Sequence, residues 1–402
     1  MAVEDLGETS RELFSQFLWR VSKDFKGKEA HLGMFSKIKY INANNDQKMR
    51  ETFFQYRFER GFCFPSKSFN GNKGNFPVGF LVWNLNESIK LADQEITLDV
   101  FNEFVEKEGI KQVPSVDRAE ALSKWVVRPA NSRVLPPLTN AISIADSHVD
   151  VRDRVADGFL CSLMAKGNDF ANQNFTALLS GPYVSAGAFS VVPENFENSM
   201  IMHAVRRIPR ATWLNDRDQW MQPIVKNLDS RFISDCVVWS LFAGSNGTAS
   251  LSDIKYKGEI YQLDNELFPF LLTEVGKWPC SLSSLSESLV GKQKDRFAAV
   301  WLQGQELSKE AECVLEKAKI VYETFFKISS SLPWPQYKIK RWDVGWYQIR
   351  RSISEAQLEA THIAELAEVS SANEKLGALI LPKIREYGFI QGSEFIFGED
   401  IP

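Results

Sequence analysis

The chain is short of the residues on which most catalytic signatures are built. Its four histidines (His31, His148, His203, His362) are scattered, with no pair at helical ligand spacing, so no metal site is expected. No Gly-Lys-Ser/Thr phosphate loop occurs; GSNGTAS at 244–250 lacks the lysine and reads as a turn after a buried strand. No GxSxG elbow offers a nucleophilic serine. Five cysteines (Cys63, Cys161, Cys236, Cys280, Cys313) stand far apart without a CxxC pair, which excludes a disulfide framework and a zinc ribbon and points to a reducing, cytoplasmic setting. No two of the 23 glycines are separated by a single residue, so there is no GxG turn. No apolar run approaches the roughly 20 residues of a membrane span. The acidic start MAVEDLGETSRE has neither the basic nor the apolar part of a signal peptide.

What is present is apolar and aromatic. With 402 residues, 44% apolar and 12% aromatic, the chain can bury two or three cores, and two or more domains are expected. The net charge of -4 means that any affinity for nucleic acid has to come from local basic patches.

The amino-terminal stretch alternates helix and strand signals. Thr9 with Glu12 forms a capping-box pattern, and Leu13, Phe14, Phe17, Leu18 and Val21 follow at helical spacing. His31–Ile41 reads as a strand. Asp46 caps a second expected helix that runs to Phe58, and Gly61–Phe64 starts another strand. Then comes GNKGNFPVGFLVWNL, whose continuous apolar run predicts a strand covered on both faces. This is the grammar of an α/β sheet. Thr97–Lys107 reads as a helix closed by Gly109, and Arg128–Leu138 as a proline-rich connector. Beyond Asp157, the apolar segments GFLCSLMA, AGAFSVV and FISDCVVWSLF, with a helix near Phe196–Ile208, predict a second α/β or α+β unit. The last third is helical: Ala311, Val314, Leu315, Ala318, Val321, Tyr322 and Phe325 recur at three and four, and Ser354 with Gln357 opens a further helix.

The order of residues 13–85 resembles the distal half of the catalytic domain of N6-adenine DNA methyltransferases of restriction-modification systems. LFSQFLWRV is similar to the helix after their catalytic loop and HLGMFSKIKYIN to the next strand. RETFFQYRFERGFCF is similar to the following helix and strand, and KSFNGNKGNFPVGFLVWNL to the aromatic loop and closing strand. The likeness continues through ENFENSMIMHAVRRIPRATWLNDRD, DCVVWSLFAGSN, KRWDVGWYQI and LGALILPKIREYGF. Two requirements of such enzymes are missing. Without a GxG turn the backbone cannot approach S-adenosylmethionine closely. The only Pro-Pro, within Leu135-Pro136-Pro137-Leu138, lacks the preceding Asn/Asp and the following aromatic that hold and stack on a flipped adenine.

The resemblance therefore implies the distal half of a Rossmann-like sheet at 1–92, a helix and connector at 93–150, an α/β or α+β target-recognition unit at 151–300 and a helical region at 301–402. It implies no catalytic residue, cofactor or metal in this chain, with S-adenosylmethionine held by a separate or missing amino-terminal half, and double-stranded DNA and that half as partners. The alternative is a non-catalytic subunit that keeps the fold for assembly. In the family an aromatic before the closing strand packs on the extruded base; Phe69 is the best match and Phe76 the second, unless either ring fills the core beside Trp83. In PWPQYKIKRWDVGWYQIRR (333–351), Lys338, Lys340, Arg341, Arg350 and Arg351 interleave with Trp342 and Trp346, the mixture that cradles phosphates and stacks on bases. The competing reading is a packed aromatic corner with solvated charges. Arg206, Arg207 and Arg210 form a smaller basic patch.

Overall fold

In a computed structural model of the chain, residues 9–69, 74–139, 143–144, 153–183, 187–278, 294–328, 341–355, 360–390 and 395–397 are described. The chain is a mixed α/β protein with mixed sheets and a helical carboxy-terminal region. Helix α1 (Leu13–Asp24) precedes strand β1 (His31–Lys37), a short helix α2 (Gln47–Thr52), β2 (Tyr56–Pro65) and β3 (Pro77–Ser88). Strand β3 lies between β1 and β2 and is antiparallel to both. On the far side of β2 come β4 (Thr97–Phe101), parallel to it, then β5 (Lys107–Gln112) and Phe395–Phe397, each antiparallel to its neighbour. Among the described residues strand β1 ends the sheet.

Four expectations for this region are corrected, the first being the strand over His31–Ile41, which stops at Lys37 because Ile38–Ile41 turns into a 3-10 helix that buries Ile38, Tyr40 and Ile41. Thr9 does not cap α1: its hydroxyl donates to the Asn45 carbonyl at 2.6 Å and to Asp46 Oδ1 at 2.9 Å, tying the start of the described chain to the loop after β1. Helix α2 ends at Thr52 instead of Phe58, because Tyr56 already belongs to β2. The helix expected over Thr97–Lys107 is the β4–β5 hairpin. Leu98, Phe101 and Val105 imitate a helical stripe, but Leu98 and Val100 alternate into the core while Val105 sits exposed in the turn at φ +66°.

The core of this sheet lies on one face. Leu81 and Trp83 of β3 are fully buried with Tyr40, Phe54, Cys63, Leu98 and Val100. The Trp83 indole donates to the Tyr40 hydroxyl at 3.1 Å. The opposite face carries Phe80 and Val82, only partly buried. The continuous run in β3 therefore does not report cover on both sides. On the second face Phe80 is covered by other rings of the same sheet, Phe35 at 4.7 Å and Phe62 at 5.8 Å between centroids, and Phe62 in turn touches Phe101 at 5.7 Å. None of these four rings belongs to a buried core cluster of the described residues.

A second unit is built around a small sheet of β6 (Cys161–Ala165), β7 (Thr176–Leu179), β8 (Phe189–Val191) and β9 (Asn246–Gly247), in the order β8-β6-β7-β9. Helices α3 (Phe196–Arg207) and α4 (Ser230–Phe242) pack with it. Helix α4 is the stretch FISDCVVWSLF, apolar on nearly every side because Phe232, Cys236, Val237, Val238 and Leu241 are all buried. GSNGTAS thus follows a buried helix, where a strand was expected. After a hairpin of β10 (Leu251–Tyr256) and β11 (Glu259–Leu263), helices α5 (Lys309–Ile328), α6 (Trp346–Glu355) and α7 (Ala360–Glu386) close the same core through Val314, Val321, Tyr322, Ile349 and Leu376. Ser354 lies in the last turn of α6, not at a helix start. The helical region shares one core with residues 160–278 and does not form its own. Lys111 of β5 and Asp218, both buried, join the two units through a 2.8 Å ion pair.

Candidate nucleic-acid interface

The end of the sheet where β1 and β2 finish and β3 begins gathers the two expected stacking rings. Ser66 pinches the intervening loop: its N–H donates to the Phe76 carbonyl at 2.9 Å, and its hydroxyl donates to the Gly74 carbonyl at 2.8 Å. Residues 70–73 lie outside the described chain. Phe69 is 46% exposed and leans on Phe64 at 5.5 Å, so one side of the ring stays open. Phe76 is partly buried beneath the Lys37 ammonium, 5.0 Å from its centroid. Neither ring packs beside Trp83, whose aromatic neighbours are Tyr40, Phe54 and Phe58. A loop of the second unit borders this end: Trp213 and Leu214 pack against the sheet's core, and Asp216 lies within electrostatic range of Lys37. Burial holds the Asp216 carboxyl above its ordinary range.

The basic and aromatic segment near residue 341 is mostly interior. Arg341 donates to both carboxylate oxygens of Asp343 at 2.9 and 3.0 Å and to Asp264 at 2.5 Å, while Arg296 pairs with the same two acids. Burial by itself would raise the Asp343 carboxyl, but the charges and hydrogen bonds of Arg341 and Arg296 outweigh it and hold the group below its usual range. Trp342 is buried, edge-on to Phe268 at 5.3 Å and under the Arg296 guanidinium at 4.8 Å. Trp346 donates its indole N–H to the Phe242 carbonyl at 3.0 Å. Gln348 accepts from the Ser250 N–H and donates to the Ser250 carbonyl, so residues 242–250 are the seat on which this segment rests. Arg341, Trp342 and Trp346 therefore correct the expectation of a DNA-facing cluster: their polar atoms are satisfied inside. Arg350 is partly buried and donates to the Gly244 carbonyl at 3.1 Å; Arg351 is exposed, near Tyr347. Lys338 and Lys340 lie outside the described residues.

The smaller patch divides in the same way. Arg206 is fully buried, stacked on Trp220 at 4.3 Å, and donates to Thr176 and to the Gly167 and Lys166 carbonyls. Burial lowers its pKa to about 9. Arg207 is partly buried and donates to the Gln173 carbonyl and Asn174. Only Arg210 is exposed. Arg206 acts as a bracket between α3 and the loop after β6.

A polar cleft of about 510 Å³ between the two units was not legible from sequence. Asn44, Asn168 and Gln219 line it, with Arg118, Lys124 and Arg128 on its rim, and none of these three cations forms an ion pair among the described residues. They come from a stretch without periodicity, which left no local signal. Candidates for chemistry are few. His203 is buried between the hydroxyls of Ser240 and Ser245, each 2.9 Å from a ring nitrogen, and desolvation with help from Arg207 lowers its pKa to about 3. Cys63, Cys161 and Cys236 are buried thiols pushed up by desolvation. Among the described residues no cluster of His, Cys, Asp and Glu could hold a metal ion, and no helix is long and apolar enough to cross a membrane. The arrangement suits binding: open rings, exposed cations and a polar cleft. Comparison with known proteins finds no matching family, no matching curated protein and no matching solved structure.

Proposed function

We propose that the chain is the DNA-binding, target-recognition portion of an adenine-N6 DNA methyltransferase of a restriction-modification or phage-defence system. It is inactive alone and works with an amino-terminal half, separate or upstream, that holds S-adenosylmethionine and the catalytic loop. The observation that supports this best is the strand arrangement. The segment read as the family's closing strand, β3, lies antiparallel between the two strands read as its predecessors, β1 and β2, and among the described residues β1 is the last strand on that side. That is the arrangement expected of a sheet whose earlier strands belong to the other half. Phe69 with one open ring side and Arg210 and Arg351 at the surface are the groups left to meet DNA.

Isothermal calorimetry tests the first part: the isolated chain should show no saturable S-adenosylmethionine binding, and micromolar affinity overturns it. Duplex DNA should be retained in a salt-sensitive manner, with Arg210→Ala and Arg351→Ala each weakening retention and lowering the salt slope by about 1. Retention that ignores both substitutions removes these residues from the interface. A non-catalytic assembly subunit is the second reading, favoured by the uncovered aromatic face of the sheet. A neighbouring coding sequence carrying a glycine-rich turn and an NPPY-type loop separates the two, since only the methyltransferase requires it.

A further inference from the structure

The polar cleft between the two units carries chemistry that the DNA-facing groups leave unused. Asn44, in the loop after β1, lines one wall; Asn168, Asp169, Asn172 and Gln219 line the other. Residues 118–128 supply the cations and are fixed to both units. The Arg118 N–H donates to Gln47 Oε1 at 2.7 Å, and the Val127 carbonyl accepts from Asn195 Nδ2 at 2.9 Å. Arg118, Lys124 and Arg128 therefore stand on anchored backbone.

Two kinds of group in this cleft lack a counterpart. The first is positive charge. Arg128 lies over the Phe189 ring at 4.8 Å, where partial desolvation draws its pKa below the ordinary value, and no carboxylate among the described residues compensates. The one acid of the lining, Asp169, is already engaged, since it accepts from Asn172 Nδ2 and faces Arg217 at 3.6 Å. The second is a pair of acceptors. Asn168 is 7% exposed and its amide donates to the Trp220 carbonyl at 2.7 Å, which fixes the side chain, while its Oδ1 is buried and accepts nothing among the described residues. The Oδ1 of Asn44 is in the same state. A buried acceptor left unmade costs about 1–3 kcal/mol, which a donor brought by a ligand recovers.

Charge and lining together select the ligand. A phosphate monoester brings close to two negative charges to the three cations, where a carboxylate brings one. The orphan carboxamide oxygens call for hydroxyl donors. No aromatic ring lines the cleft, and its apolar residues are only Ala43, Val126 and Ala165, so a nucleobase finds nothing to stack on. The volume of about 510 Å³ lies within the range of small-molecule sites.

We propose that this cleft binds a phosphorylated sugar, with its phosphate toward Arg118, Lys124 and Arg128 and its hydroxyls donating to Asn44 and Asn168. The inference stands apart from the preceding section, for it uses neither Phe69, Arg210 nor Arg351.

Isothermal calorimetry of the full chain with ribose 5-phosphate and glucose 6-phosphate tests it. At least one ester should bind saturably at one site with a Kd of about 1 mM or tighter, and inorganic phosphate and the free sugar each more weakly by about tenfold. Lys124→Glu and Arg128→Gln should each weaken ester binding by about tenfold without lowering Tm, since both side chains are exposed. Lys26→Gln, at an exposed cation elsewhere on the first unit, should leave binding unchanged. Absence of saturable binding for both esters, or indifference to both cleft substitutions, overturns the proposal. Inorganic phosphate binding as tightly as the esters does the same, because the carboxamides then contribute nothing. One-for-one displacement of a bound ester by a duplex oligonucleotide assigns the cleft to the nucleic-acid backbone and likewise overturns it. Ester binding by a chain that fails to retain duplex DNA sinks the methyltransferase reading and leaves this site standing.

Discussion

Two aromatic regions of the molecule exchange the roles that composition assigns them. The run in β3 and the phenylalanines around it contain almost no charge, yet Phe35 is 57% exposed and Phe62 and Phe80 are only partly covered. The segment 341–351 is rich in arginine, yet Arg341, Trp342, Asp343, Gly345 and Trp346 are all buried. The difference lies in partners distant in sequence. Arg341 meets Asp264 and Asp343, and Trp346 meets the Phe242 carbonyl, so the polar groups of that segment lose water but not hydrogen bonds. The phenylalanines need only apolar cover, and on their face of the sheet the described chain supplies nothing beyond their own rings. Apolar composition therefore reports what a segment tolerates inside and leaves open whether it gets there.

The largest effects should come from the buried segment. A Cβ on Gly345 would fall on the Thr248 carbonyl oxygen and 2.8 Å from the Ala249 Cα, so Gly345→Ala should cost about 3 kcal/mol in denaturant unfolding. Unchanged stability would return 341–351 to the surface. Arg341→Met leaves Asp343 without one of its two cations and should cost about 3–5 kcal/mol, the range for breaking a buried pair. Full retention of stability would mean the segment is solvated after all.

An intermediate effect is expected at His203, which touches Ser245 in the seat of that segment. Its folded pKa of about 3 lies below the unfolded value of 6.5, so the unfolded chain binds the extra proton first. The contribution is whole above pH 6.5 and is lost as pH falls toward 3, with a slope of about 1.4 kcal/mol per pH unit. Urea titrations across this window should show that slope, and His203→Gln should lack it. The smallest effect belongs to the open sheet face: Phe35→Ser should shift stability in urea unfolding by about 0.5 kcal/mol, as at other exposed sites. A loss comparable to that of Arg341→Met would show that Phe35 is interior in solution.

Much of the fold was legible. The strands at His31, Gly61 and Pro77, the helix near Phe196 and the long helix from Lys309 all follow from apolar spacing, since each buries one stripe or one face. FISDCVVWSLF was misplaced because a stretch buried on all sides has no stripe to betray its period. Thr97–Lys107 was misread because Leu98, Phe101 and Val105 stand three and four apart, whereas the hairpin buries Leu98 and Val100, two apart, and leaves Val105 exposed in its turn. Of the candidate site, Phe69 keeps an open ring side and Arg210 and Arg351 remain exposed, while Arg206, Arg341, Trp342 and Trp346 are internal. Nothing local distinguishes the two groups: Arg206, Arg207 and Arg210 stand close together along the chain, yet the first is stacked on Trp220, the second is half-buried against Gln173 and Asn174, and only the third is exposed.

By itself the sequence determined where most elements lie and that no phosphate loop or glycine-paired turn exists, because these depend on residues close together along the chain. Only the tertiary structure decided which aromatic rings and cations face water, because burial of a charge depends on a partner that may stand 77 residues away, as Asp264 does from Arg341. The edge that β1 presents among the described residues belongs to the same class, for an edge is defined by the strand that is not beside it.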